Sequence, residues 1–121
     1  MKIKTAIIRN TDERTMQLHA YDVRFYVYED GKEIGHAGLT QSEDRFWISD
    51  VAIDDQYQHR GYGTKLIKHI IEFLKPIHRG NLWVSCFDNR KTFYEELGFK
   101  IHDVLTGENG RTMYTLRYEG T

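Results

Sequence analysis

The chain has 121 residues, enough for one compact domain over residues 1–121 that buries roughly two-thirds of its unfolded surface without staples. Apolar residues make up 40%, charged residues 29%, and the formal net charge is −1 with the two signs intermixed. That balance lacks the one-sided basic field that nonspecific nucleic-acid binding requires, and the plentiful aromatics with a single Pro exclude a disordered chain. Cys86 is the only cysteine, so no internal disulfide can form and a reducing compartment is expected. The apolar run in Met1–Arg9 is too short for a secretory signal, and no later segment is long enough to span a bilayer. A soluble cytoplasmic protein is expected, without nucleic-acid or membrane partners.

In chain order, Ile3–Ile8 is a short β-branched strand, and the polar cluster Asn10–Arg14 predicts a turn. Residues 15–21 fit a strand or a short helix. Asp22–Tyr28 alternates, with Val23, Phe25 and Val27 on one face. Asp30-Gly31 is a turn signal, and Glu33–Leu39 is the return strand of a hairpin. Phe46–Ile53 is a dense apolar strand.

Gly61-Tyr62-Gly63 opens the clearest helix, which runs to Leu74. Its apolar face is Leu66, Ile67, Ile70, Ile71 and Leu74, while Lys65, Lys68, Glu72 and Lys75 face water, and Pro76 stops it. Leu82–Phe87 is a buried strand. Asp88 or Asn89 is expected to cap a short helix to Leu97, with Gly98 as a left-handed stop. Phe99–Leu105 and Thr112–Tyr118 form a closing hairpin around Gly107–Gly110. This order predicts a single α+β domain around one sheet.

The segment Gln58-His59-Arg60-Gly61-Tyr62-Gly63-Thr64 carries chemistry. A strand that passes through a Gly turn into a helix presents unpaired backbone N–H groups and the positive helix end, which together bind phosphate oxygens. Taken alone, the two glycines fit a plain tight turn equally well. A mononucleotide P-loop lacks its Gly-Lys-Ser/Thr here, and a Rossmann fingerprint lacks its third glycine, which is Leu66.

Gln58-x-x-Gly61-x-Gly63 after the strand Val51-Ala52-Ile53 resembles the pyrophosphate loop of the GNAT family of N-acetyltransferases, and Gln58-x-Arg60-Gly61-Tyr62-Gly63 is close to its histone-modifying members. About thirty residues on, Phe93-Tyr94-Glu95-Glu96-Leu97-Gly98-Phe99 resembles the second signature of the same family. The likeness covers about the C-terminal two-thirds of the chain. It implies the acyl-CoA N-acyltransferase fold, a mixed α/β sandwich whose mostly antiparallel sheet has splayed strands and flanking helices.

It further implies acetyl-CoA as cosubstrate without a metal, and direct attack of an amine on the thioester. Ile53 would pair with the pantetheine arm, and the amide of Val51 would polarise the thioester carbonyl. Amides from His59, Arg60, Gly61, Tyr62, Gly63 and Thr64 would hold the pyrophosphate, with Arg60 adding charge, and Gln58 belongs to the same loop. Tyr94 takes the place of the general acid that protonates the departing thiolate. As a plain core aromatic it would pack beside Phe93 and Phe99.

Trp47 stands where some members carry a carboxylate base, so Asp50 is the nearest catalytic candidate, with Ser49 and His36 nearby; each also fits a structural role. Asn89 is the nearest substitute for a family asparagine that touches the pantetheine arm. Cys86 suits inert packing better than a nucleophile, and the six His residues lack metal-ligand spacing. Residues 10–22 are too short for the two helices usual there, so the N-terminal helices are reduced. The acceptor side is then open to a small-molecule, peptide or protein amine, or is completed by a homodimer partner. The competing functions are a catalytically weak acyl-CoA-binding module or sensor, and a nucleotide-phosphate binder.

Overall fold

Val23, Phe25 and Val27 alternate with polar neighbours, and all three are buried on one side of strand β2 (Gln17–Glu29). The computed structural model describes residues 1–12, 17–76 and 81–120. Strand β2 pairs antiparallel with β1 (Lys2–Asp12) and with β3 (Lys32–Ser42), across the Asp30-Gly31 turn. Strand β4 (Arg45–Ile53) continues this meander. Helix α1 (Tyr62–Leu74) then crosses over to strand β5 (Leu82–Phe87), which lies parallel to β4. Helix α2 (Asp88–Glu96) leads into the hairpin β6 (Phe99–Thr106) and β7 (Thr112–Tyr118), and β7 inserts between β5 and β6. The result is a seven-stranded, mostly antiparallel sheet in the order β1-β2-β3-β4-β5-β7-β6, the expected α+β architecture.

Both helices cover one face of this sheet. All five residues of the expected α1 stripe are at most 7% exposed, and the Phe25 ring meets His69 and Phe73 of α1 edge-on. Burying such side chains stabilises the fold by roughly 1.5–3 kcal/mol each relative to exposure. The opposite face is aromatic and basic instead. Trp47 of β4 leans on Trp83 of β5, and the guanidinium groups of Arg45 and Arg117 lie over Trp83 at 4.1 and 5.9 Å. Among the described residues, no helix packs on that side.

Two local expectations change, and one left open is decided. Asn10, Thr11 and Asp12 lie in strand β1 rather than a turn, because they pair with His19, Leu18 and Gln17 of β2; the rest of that cluster, Glu13 and Arg14, lies outside the described residues. Of residues 15–21, which fit a strand or a short helix, 17–21 are strand for the same reason, and 15 and 16 lie outside the described residues. Helix α2 begins one residue earlier than a cap at Asp88 or Asn89 requires: Phe87 is its N-cap, without a side-chain cap. Asp88 is drawn into the first turn, where the helix end favours a carboxylate, and it hydrogen-bonds the Tyr114 hydroxyl.

Gly98, at φ 103°, closes α2 in the expected left-handed conformation, and its N–H donates to the Glu95 carbonyl. Among the described residues, no helix is long and apolar enough to cross a membrane. Phe25 is fully buried between the sheet and α1. Replacing it with Ala should lower stability by about 3–5 kcal/mol. Urea unfolding followed by circular dichroism checks this, with a lower midpoint and an unchanged slope expected.

Candidate active site

Strands β4 and β5 pair over only three positions, Phe46↔Leu82, Trp47↔Trp83 and Ile48↔Val84. Beyond Ile48 they separate. Strand β4 stays on β3 as far as Ile53↔Gly35, and β5 stays on β7 as far as Phe87↔Met113. The facing edges Ser49–Ile53 and Ser85–Phe87 therefore border a gap instead of a ladder. A β-bulge coincides with the separation: Ala37 of β3 lies opposite both Asp50 and Val51, between the pairs His36↔Ala52 and Gly38↔Ser49. Bulges bend and twist a strand, which turns β4 away from β5. Asp50 takes φ 51° there, a left-handed conformation that Asp tolerates better than most side chains.

Gly38 matters to the same spot. A Cβ on it would come within 2.8 Å of both Arg24 Nη1 and Ser49 Oγ. Without one, the Arg24 guanidinium crosses β3 and meets Asp50 on β4, Nη1 to Oδ2 at 3.4 Å.

The gap opens into two cavities of about 310 and 480 Å³ that share Val51, Asn89 and Arg90 and so form one cleft. The larger half is walled by Val51, Ile53, Tyr57, Gln58, His59 and the start of α1. In that loop His59 (φ 63°) and Gly61 (φ 87°) are left-handed, and Gly61 is the N-cap of α1 without a side-chain cap. Left-handed residues next to a helix start turn successive N–H groups toward one concavity, an arrangement that binds anions. Gly63 reaches the wall as well. A Cβ there would make ordinary contact with Phe93 of α2 at 3.6 Å, so the fold itself accepts a small side chain at 63.

Three side chains of the loop act as anchors. Gln58 Nε2 donates to the Ile53 carbonyl at 2.8 Å, leaving that oxygen one further lone pair for an arm lying in the gap. The Tyr62 hydroxyl donates to Glu29 Oε2 at 2.7 Å, which fastens the head of α1 to the end of β2; the bond holds the Glu29 carboxyl below its usual range and raises the Tyr62 phenol. The Arg60 guanidinium lies 5.8 Å from the Tyr57 ring centroid. Within residues 58–64, only Arg60 and Tyr62 are absent from the cavity walls.

The smaller half is lined by Ile48, Ser49, Asp50, Val51, Ser85, Cys86, Tyr94 and Arg111, among others. Tyr94 is 5% exposed and packs edge-on against both Phe93 and Phe99, so its ring belongs to the core while the residue also borders the cleft. Burial pushes its phenol up to about 12, which keeps the proton in place at neutral pH. Cys86 borders the same cavity, but burial pushes its thiol up too, which disfavours the reactive thiolate.

Asp50 and Ser49 therefore come to the cleft, whereas His36 is exposed on β3 and outside both cavity walls. Arg24, Ser85, Arg90 and Arg111 escaped the sequence reading. Their positions depend on strand order and on the β6–β7 turn, and no local motif marks them.

Because Tyr94 has its folded pKa raised above the free value near 10, its burial favours the protonated native state. That contribution is complete below about pH 10 and is lost as pH rises through about 12, amounting to about 3 kcal/mol. Stability measured by urea unfolding from pH 9.5 to 12 should therefore fall less steeply in Tyr94→Phe than in the wild type. Equal slopes would show that the phenol titrates normally.

Residues 21–101 match the family description "Acetyltransferase (GNAT) domain". The spermine/spermidine N(1)-acetyltransferase of Bacillus subtilis is 27% identical over 99 residues, covering 72% of this chain and 65% of that protein, so the chain spans somewhat under two-thirds of that relative's length. Among solved structures, the IAA acetyltransferase from Bacillus cereus superposes with a TM-score of 0.65 at 19% identity, covering 94% of this chain and 98% of that one. An aminoglycoside 6'-N-acetyltransferase complexed with coenzyme A superposes with a TM-score of 0.68 at 12% identity, covering 79% and 71%. A cleft between parted strands, a Gly loop heading α1, and a family match across two-thirds of the residues agree: the chain belongs to the GNAT acetyltransferase domain family.

Proposed function

We propose that this chain is an N-acetyltransferase that moves an acetyl group from acetyl-CoA to a primary amine, with residues 1–121 acting as one catalytic domain. The observation that carries this reading is the gap between β4 and β5, which ends on the uncapped head of α1. An extended pantetheine arm suits the unpaired strand edges at Val51 and Ile53, with Asn89 on the opposite wall. The pyrophosphate suits the backbone amides from His59 to Thr64, and Arg60 adds charge from outside the cavity wall.

In this reading the chemistry is mainly positional. The amine nitrogen attacks the thioester carbonyl, and the carbon–sulfur bond then breaks to give the amide and the thiol of CoA. The Val51 N–H, on the bulge, is directed to the oxygen that gains charge. Asp50 draws the acceptor ammonium to the cleft and passes its proton to solvent. Tyr94 gives its phenol proton to the departing sulfur and recovers one from solvent. Its pKa near 12 exceeds that of a free thiol, about 8.5, and partial burial in the cleft narrows this gap by raising the thiol as well.

One observation favours a second reading, an acyl-CoA-binding module with weak catalysis. Trp47 stacks on Trp83 at the strand position where some members carry a carboxylate.

Calorimetric titration with acetyl-CoA and with ATP tests the donor site: acetyl-CoA should bind, and ATP binding alone would sink the reading. Gly63→Ala should keep the fold, whereas Gly63→Asp should lower acetyl-CoA affinity at least a hundredfold by setting a carboxylate against the pyrophosphate. Thiol release from acetyl-CoA with a panel of amines separates enzyme from binding module. In that assay Tyr94→Phe should reduce kcat at least tenfold while acetyl-CoA affinity changes less than threefold. Wild-type turnover would leave Tyr94 a core residue only.

A further inference from the structure

The smaller cavity, at the end of the cleft where the thioester would lie, has a charge pattern that bears on the acceptor. Its ionisable walls are Asp50, Arg90 and Arg111, besides Cys86 and Tyr94. Asp50 already faces Arg24 at 3.4 Å. Among the described residues, neither Arg90 nor Arg111 has a carboxylate within ion-pair distance. The lining is thus net positive, with two guanidinium groups against one carboxylate that has a partner.

Arg111 is also held in place. Its carbonyl accepts from Gly107 N–H at 2.9 Å and its own N–H donates to Asn109 Oδ1 at 3.0 Å, so the β6–β7 turn fixes its backbone. Its guanidinium lies 3.7 Å from the centroid of the Phe87 ring, at the end of β5. A guanidinium resting on an aromatic face keeps its in-plane N–H fork available, the geometry that grips a carboxylate through two parallel bonds.

We propose that the acceptor is a small amine that also carries a carboxylate, an amino acid being the simplest case, and that Arg111 grips the carboxylate while Asp50 takes the amine end. This rests on the acetyl-transfer reading above. The lining works against a polyamine, whose several ammonium groups would meet two arginines that no carboxylate among the described residues pairs within ion-pair distance; such a repulsive element discriminates as well as an attractive one does. A cavity of about 310 Å³ lies at the lower end of the range for small-ligand sites, roughly 300–1,000 Å³, which also suits a compact acceptor. Arg90, bordering both halves of the cleft, adds to the positive field on the acceptor side.

The test is thiol release from acetyl-CoA with three acceptor sets: amino acids, the matching alkylamines without the carboxylate, and spermidine. The wild type should show its highest kcat/KM in the first set. Arg111→Gln should raise KM for amino acids at least tenfold, leave KM for alkylamines within threefold, and leave acetyl-CoA affinity by calorimetry unchanged; Arg111→Lys should restore part of the loss. Spermidine or alkylamines used as well as amino acids, with Arg111→Gln silent, would overturn the acceptor assignment while acetyl transfer stands. A parallel loss of acetyl-CoA affinity in Arg111→Gln would move Arg111 to the donor and also overturn it. Acetyl-CoA binding without thiol release to any amine would sink acetyl transfer and this proposal together.

Discussion

The parting of β4 and β5 after three parallel pairs is the constraint on which the rest of the site depends. Two neighbouring strands that stay paired have no free edges, and a sheet without a gap cannot admit a ligand between its strands. Here each strand is held on its outer side, β4 by β3 and β5 by β7, so the inner edges separate without loss of the sheet. The bulge at Asp50–Val51 supplies the bend. The bulge, the Gly loop, Tyr94 and the β6–β7 turn then border one opening.

The helices serve that opening as much as the core. Helix α1 is anchored through its buried stripe and through the Tyr62–Glu29 bond, which fixes the direction of its N-terminus relative to β4. Helix α2 brings Phe93 against Gly63 and Tyr94 against Phe99, so the two helices close on each other just behind the cleft. Tyr94 shows how little separates packing from chemistry. The same burial that makes its ring a core element raises its phenol and preserves its proton. Its burial as a core aromatic leaves it a protonated hydrogen-bond donor at the cleft and makes it a weaker acid than a free phenol.

The face of the sheet that lacks helices is equally consequential. With a β1–β2 hairpin at the N-terminal side, the aromatic and basic side chains around Trp83 cover that face themselves. The smaller half of the cleft is bounded by β4, β5, α2 and the β6–β7 turn. Arg111 of that turn and Asp50 of β4 line the same cavity.

Residues close in the chain announced most of the elements. The 3.6-residue spacing of Leu66, Ile67, Ile70, Ile71 and Leu74 specified the buried face of α1, and alternation specified Val23, Phe25 and Val27, because both patterns are set by local backbone geometry. The Gly loop and the Tyr94 segment were legible as motifs for the same reason: their chemistry is local. Tertiary structure alone decided the rest. The strands at residues 10–12 and 17–21 required knowing that Asp12 pairs with Gln17, and the Arg24–Asp50 pair required strands β2, β3 and β4 side by side with a glycine between them. No local pattern marks Arg111, because its guanidinium rests on Phe87, twenty-four positions earlier. Such contacts are fixed by strand order and register, long-range quantities that a local pattern does not encode.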